Sequence, residues 1–577
     1  MVGIVSALVA KALLALIGLF TNLFFFQRVS TDLVTPDASS TGPWVILIPV
    51  VGALIIGLMA RYGSDRIRGH GIPEAIEAIL INGSRVEPKV ALLKPLSSAI
   101  SIGSGGPFGA EGPIIMTGGA IGSLIAQFLH LTSAERKTLL VAGAAAGMSA
   151  TFAAPMASVL LAVELLLFEW KPRSVIPVAL ASVTAAVMRR YILGVGPLFP
   201  VAEHPAFIGP AGMMGCVVAG LLAGGLSVLL TQAVYAAEDA FERVPLHWMW
   251  WPAIGGLVIG IGGWIFPPAL GVGYDVIGQL LQSNDVGNGL ILGILLVKST
   301  IWAVSLGSGT SGGVLAPLLM IGGALGGVEA WFLPAAGPGF WPLVSMGAVL
   351  GGTMRSPFTA VVFAVELTHD VNMLLPLLVA ATIAHGFTVL VLKRSILTEK
   401  IARRGFHVSR EYSIDPLEIL FVREVMRTSV VAIPASAPYH LVRDALGDSD
   451  RRRQRLYPVI DEAETLVGVV TGRDLQSLAD LNETPSDQPL ASIVKTEATV
   501  AFPDESLRMV VHRMAETKLT ELPVVDRQRR IVGMIGLVEL LTARARNLDA
   551  EQRRERVFGT RLAFPFGGRR PRDASAS

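Results

Sequence analysis

Cysteine is almost missing from this chain. Cys216 stands alone in an apolar run, so no intrachain disulfide can form. Charge is scarce as well: Asp, Glu, Lys and Arg make up 16% of the residues, and they crowd into the last third. A net charge of +2 is too small to point to nucleic acid, and charges gathered in one region mark a soluble domain rather than a binding stripe. A secretory signal and its cleavage site are not evident either. What remains is apolar. With 52% hydrophobic residues, 61 glycines and a mean hydropathy of +0.58, the 577-residue chain is excluded from the ordinary soluble class and reads as an integral membrane protein with closely packed helices.

Within that apolar chain one acid stands out. From Val90 to Ala134 the only formal charges are Lys94 and Glu111, and Glu111 lies in SIGSGGPFGAEGPIIMTGGAIG, residues 101 to 122. An ionisable side chain at membrane depth is costly and is kept mainly where it faces a partner or a watery path. A loop glutamate at the water interface is the plainer reading. Pro107, Pro113 and the glycines argue instead for broken helix inside the bilayer, where unwound backbone must line a cavity or be buried in protein.

The same stretch recurs 204 positions on. Lys94, Gly103, Ser104, Gly105, Gly109, Pro113, Met116, Gly118, Gly119, Ala120 and Gly122 each meet an identical residue there, from Lys298 to Gly326. Glu111 meets Leu315, so the carboxylate belongs to one half only. PMASVLLAVEL at Pro155 to Leu165 is echoed by PFTAVVFAVEL at Pro357 to Leu367. Two homologous halves, about 1–192 and 210–395, with hydrophobic segments interrupted at matching places, point to an inverted-repeat transport protein whose site lies where the broken helices meet. Ile72 to Ile81 is one such piece: a full crossing needs roughly 20 helical residues, so it reads as a half-helix.

GAEGP at Gly109 to Pro113, GHGIP at Gly69 to Pro73 and GVLAP at Gly313 to Pro317 together resemble the anion-site motifs of the CLC chloride channels and proton/chloride exchangers. The resemblance covers about residues 1–405. It implies an α-helical polytopic membrane protein, an inverted repeat with broken half-helices, that forms a homodimer with one pore per subunit in the lipid bilayer. It also implies that Glu111 gates the path. Gly69, His70, Gly71, Ile72, Pro73, Gly109, Ala110, Gly112, Gly313, Val314, Leu315 and Leu397 are then the residues at the anion positions. The device has a physical reason: N–H groups at a helix start and the positive end of its dipole attract chloride or another small anion without a full charge that would hold it too tightly. Three departures bear on selectivity. His70 stands where many relatives have serine, Leu397 where they have a pore tyrosine, and Leu315 where phenylalanine is common. His70 either donates to the anion or is a structural histidine turned away from it.

An inner acid would carry protons in an exchanger. Reading forward from Pro155, Glu164 falls one residue short of that position and Leu165 falls on it; reading backward from Pro172 places Glu169 there with a gap. Glu164 has a repeat mate, Glu366, which suggests a shared role at helix ends. Three functions follow: a gated anion channel that responds to voltage or pH, favoured by Leu165; a proton-coupled chloride antiporter, favoured by Glu111 with Glu169; and a CBS-bearing cation transporter, disfavoured by the anion-type helix starts and the lack of an acidic cluster in the core. None is an enzyme, and no metal or required cofactor is implied.

From Arg394 the composition turns charged and β-rich. VAIP, YPVID and VGVVTGRDL at residues 431–475 are answered by VAFP, LPVVD and VGMIGLVEL at 500–540. This resembles a pair of CBS domains, residues 420–480 and 488–547, expected in the cytoplasm beneath a plasma or inner membrane. Thr471 and Asp474 match positions that would touch an adenine nucleotide such as ATP or AMP; a ligand-free scaffold is the other reading. The basic tail, 551–577, reads as disordered.

Overall fold

Apolar runs in lipid must satisfy every backbone group internally, so they fold as helices. A computed structural model describes residues 1–36, 42–80, 83–283, 286–403, 417, 420–437, 454–472, 474, 494 and 498–552. The tail from 553 on lies outside the described residues. Two units separate in it, Met1–Tyr412 and Ser413–Ser577.

The first half of the membrane unit comprises α1 (Val2–Phe26), α2 (Leu47–Tyr62), α3 (Ile72–Leu80), α4 (Pro88–Gly103), α5 (Glu111–Gln127), α6 (Ser133–Phe152), α7 (Pro155–Leu161) and α8 (Pro172–Ile192). The second comprises α9 (Gly209–Glu242), α10 (Trp251–Ile265), α11 (Tyr274–Gln282), α12 (Asn288–Gly293), α13 (Ser299–Gly307), α14 (Leu315–Glu329), α15 (Phe340–Met354), α16 (Pro357–Thr368) and α17 (Leu374–Val391), followed by α18 (Ile396–Arg403). Among the described residues seven segments are long and apolar enough to cross a membrane, and others, such as α14 to α16, are shorter. This is a multi-pass architecture with partial spans. The half-helix expected from Ile72 is α3, nine residues long.

Repeat mates occupy matching places. α5 packs on α6 and α14 on α15 at backbone distance: a Cβ at Gly118 would strike the carbonyl of Gly143, one at Gly322 that of Ser345, and one at Gly326 that of Trp341. With no hydrophobic drive between helices in lipid, such close approach is what small residues contribute. The halves are also joined crosswise. Glu366 accepts from the N–H groups of Met156 and Ala157 at the start of α7, 2.9 and 2.8 Å, while Glu164 accepts from the N–H and hydroxyl of Thr359 at the start of α16, 2.9 and 2.6 Å. Each half thus caps the orphan donors of the other half's helix. Glu164 sits in a π-helical turn, Ala162–Leu167, that extends α7.

The second unit contains β1 (Ile433–Pro434), β2 (Leu456–Ile460) and β3 (Leu466–Thr471) in one sheet, and β4 (Glu521–Val525) with β5 (Ile531–Gly536) in another. Both hairpins share one register: Leu456 faces Thr471 and Val459 faces Gly468, as Glu521 faces Gly536 and Val524 faces Gly533. Their turns match too, since Asp461 accepts from Ala463 and Thr465 where Asp526 accepts from Gln528 and Arg530. Buried Leu507, Val510, Leu522, Val524 and Ile535 form a core under helix Leu507–Thr517.

Candidate anion-binding site

Three loops from opposite halves meet at the starts of α3, α5 and α14. Gly109 N–H donates to Gly313 O at 3.2 Å, Gly313 N–H donates back to Gly109 O at 2.8 Å, and Gly69 N–H donates to Thr310 O at 3.2 Å. Backbone is packed on backbone here. A Cβ at Gly112 would fall on the carbonyl oxygen of His70, and Gly71, at φ +90°, lies against the carbonyl of Gly112. Only glycine fits both constraints. The sequence-predicted residues Gly69, His70, Gly71, Ile72, Gly109, Ala110, Gly112, Gly313, Val314 and Leu315 are therefore brought together, with Pro73 in the first turn of α3, where its missing N–H costs nothing.

Glu111 opens α5 and is fully buried. Its Oε1 accepts from the N–H of Ala316, 3.1 Å away, in the first turn of α14. Its Oε2 is enclosed without a hydrogen-bond partner. A carboxylate from the first half thus occupies the donor-rich start of a helix from the second, a place where any anion is favoured. His70, 5% exposed, has its backbone carbonyl against Gly112, and its Nδ1 is enclosed without a hydrogen-bond partner.

The GHGIP loop is held taut by buried charges. Lys94 donates to the carbonyls of Ile67 and Gly69 at 2.8 and 2.7 Å, and Glu74 accepts from Gly71 N–H at 2.8 Å while pairing with Lys400 at 2.6 Å. On this side a cavity of about 790 Å³ is lined by Arg68, His70, Tyr235, Glu238, Lys400 and Arg403 among others. Arg68 stacks on Trp248, 4.7 Å from the ring centre.

Leu397 does not line this cavity. It is fully buried in α18, and the hydroxyl at its side comes from Tyr235, which donates to the carbonyl of Ile396 at 2.6 Å and faces the cavity. Tyr235 was missed because it sits in the long α9, outside every motif; its one signal is that it is the lone phenol of that helix. Lys400, Glu74 and Arg68 were missed as well, being charges at helix ends that look like interface residues.

The two carboxylates considered for a proton path are held by partners outside the three loops. Glu164 is engaged in the cap on α16, and Leu165 beside it is fully buried. Glu169 accepts from the Ser174 hydroxyl at 2.8 Å and lies 3.9 Å from Lys171. In the second unit, Asp474 accepts from the N–H and hydroxyl of Thr471, 3.2 and 2.7 Å, and Thr471 accepts from Asp474 N–H in return. That is the geometry of a helix start, and Glu539 repeats half of it by accepting from Gly536 N–H. Among the described residues no group of three or more His, Cys, Asp or Glu could hold a metal.

Broken helices from two inverted halves, meeting at a donor-lined point inside the membrane, define a transporter or channel for anions rather than an enzyme. The chain belongs to the voltage gated chloride channel family, whose profile matches residues 51–389, and carries two CBS domains, at 422–479 and 490–546. It is 32% identical over 351 residues to a chloride channel protein described as ClcB-like from Ralstonia nicotianae, covering 59% of this chain and 81% of that one. It is 28% identical over 398 residues to the H(+)/Cl(-) exchange transporter ClcA of Citrobacter koseri, 66% and 82% of the two chains. In fold it resembles a slow cyanobacterial Cl-/H+ antiporter, with a TM-score of 0.61 and 22% identity over 70% of this chain and 97% of the other.

Proposed function

We propose that Glu111 gates chloride movement through the meeting point of the three loops, and that conduction is channel-like. The observation that carries the reading is the bond from Ala316 N–H to the Glu111 carboxylate: the acid sits where a permeating anion would be held, as a tethered competitor. Protonation, or displacement by an incoming anion, would free the donors. The remaining donors are backbone N–H groups and the His70 ring. The channel mode is supported by what surrounds the inner acid position. Read forward from Pro155 without a gap, Leu165 falls on it and is fully buried, and Glu164 and Glu169 are both tied to neighbours.

Proton-coupled exchange is the second reading. It is favoured by the side chain of Glu169, which keeps 22% exposure just past the π-helical turn and could pass a proton to water, and by the ClcA relative. Liposomes holding the purified protein and a chloride gradient separate the two. Anion flux without proton movement supports the channel; protons driven uphill would establish exchange. In this reading the membrane unit works as a homodimer in the plasma or inner membrane, and the CBS pair lies in the cytoplasm, where it modulates flux and takes an adenine nucleotide at Thr471 and Asp474.

A further inference from the structure

The second half contains an unremarked counterpart of GHGIP. Gly69 and Gly71 recur 202 positions on as Gly271 and Gly273, and α3 (Ile72–Leu80) recurs as α11 (Tyr274–Gln282). All four glycines have positive φ: +84° and +90° in the first loop, +64° and +79° in the second. Lys94 donates to the carbonyl of Gly69 at 2.7 Å, and Lys298 to that of Gly271 at 2.7 Å. The two loops lie at opposite ends of α10. Its first residue, Trp251, lines the large cavity beside His70, whereas Gly263 packs against Leu270, just before Gly271; roughly 18 Å of helix separates them at 1.5 Å per residue.

Three features set the second loop apart from a mere structural echo. Lys298 is fully buried, and no acidic side chain pairs with it among the described residues, so its charge is left facing the loop. The Tyr274 hydroxyl is enclosed without a hydrogen-bond partner, a state that costs free energy unless something occupies the donor. A cavity of about 80 Å³ opens there, lined among others by Gly271, Gly273, Tyr274, Thr35, Asp275 and Ala110, the neighbour of Glu111; the Asp275 carboxylate in it accepts from the Thr35 hydroxyl. Space for one small ion is ample, since a water needs only about 10–15 Å³ by this measure.

We propose that Gly271–Tyr274, with Lys298 behind it, forms a second docking station for a small monovalent anion at the mouth opposite the large cavity, and that the Tyr274 hydroxyl is its side-chain donor. The proposal rests on the anion path described above and adds a stop to it. Bromide is the probe, used with the full-length protein in two measurements. In liposomes, Tyr274→Phe should raise the bromide concentration giving half-maximal flux roughly tenfold, the worth of one hydrogen bond to a charged group, when bromide is varied on the α11 face, with little change when it is varied on the other. An unchanged value, or an equal change on both faces, overturns the station. In crystals soaked in bromide, an anomalous peak should stand within hydrogen-bond distance of the Tyr274 hydroxyl in the wild type and vanish in Tyr274→Phe. A peak at the Glu111 loops alone, or a water at Tyr274, also overturns it. If the wild type carries no bromide at all, the anion path itself fails, and the crystal measurement still decides the station.

Discussion

Glu111 and His70 stand in loops whose backbones touch, since the His70 carbonyl lies against Gly112, and the proposed site gives them different chemistry. In the proposed gate Glu111, which accepts from the Ala316 N–H, competes with the anion for that donor. Removing its charge while keeping its shape should therefore leave the path open: Glu111→Gln is expected to conduct at a rate independent of external pH across the range that modulates the wild type. Persistent pH dependence in that variant would take Glu111 out of the gate. His70 brings an Nδ1 without a hydrogen-bond partner next to the backbone donors, so its ring can add a donor of its own. In a Glu111→Gln background, which silences the gate, His70→Ser should shift the ratio of chloride to nitrate permeability severalfold. Equal ratios with and without the imidazole would mean that backbone N–H groups carry the site alone. The three loop motifs were legible in the sequence because glycine and proline report backbone geometry directly. Tyr235 was not, since its position beside Ile396 arises only when α9 and α18 pack.

At the scale of the element, the crosswise caps of α7 and α16 explain why a glutamate recurs in both halves. Glu366→Ala strips two N–H groups of their acceptor and should cost about 1–2 kcal/mol of stability, as loss of a helix cap does. Glu164→Ala should behave alike and leave any proton movement untouched. The check is a melting curve in detergent alongside proton flux: lost proton flux at an unchanged melting temperature would make Glu164 a carrier instead of a cap. The shared cap was readable from the repeated AVEL, whereas the partner was not, because a repeat shows which residues correspond but not that each half reaches across to the other. The loop around Gly271 escaped notice for a related reason. Only Gly-x-Gly and a distant lysine persist, and GVGYD otherwise shares nothing with GHGIP.

Across the whole molecule, the second unit holds its own titratable lock. Burial alone would raise the Glu505 carboxyl, but the bidentate Arg513 guanidinium and the Phe502 N–H together outweigh it and hold it below the usual carboxylate range. A depressed folded value means this stability is whole above the unfolded value, near pH 4.3, and is lost as pH falls through the folded one. Thermal melts of a fragment from Ser413 onward should thus show a steeper acid decline than Glu505→Gln, and parallel curves would remove Glu505 from the lock. The same fragment tests ligand binding. Since Thr471 and Asp474 already satisfy each other, ATP or AMP must break that pair to use them, and calorimetry should show binding that weakens at least severalfold in Asp474→Ala. No heat from the unmutated fragment would leave a scaffold. The boundary between the units was plain in the sequence as a change from apolar to charged residues, and the paired hairpins as a 65-residue echo.

The reciprocal caps also set a clock on biogenesis. The N–H groups of Met156 and Ala157 wait for Glu366, which is 210 and 209 residues further along the chain. At a synthesis rate of 5–20 residues per second, the first half stands in the membrane with its α7 start unfinished for roughly 10–40 s. During that interval it depends on water, lipid headgroups or the insertion machinery for those donors, and the arrival of α16 closes both starts at once.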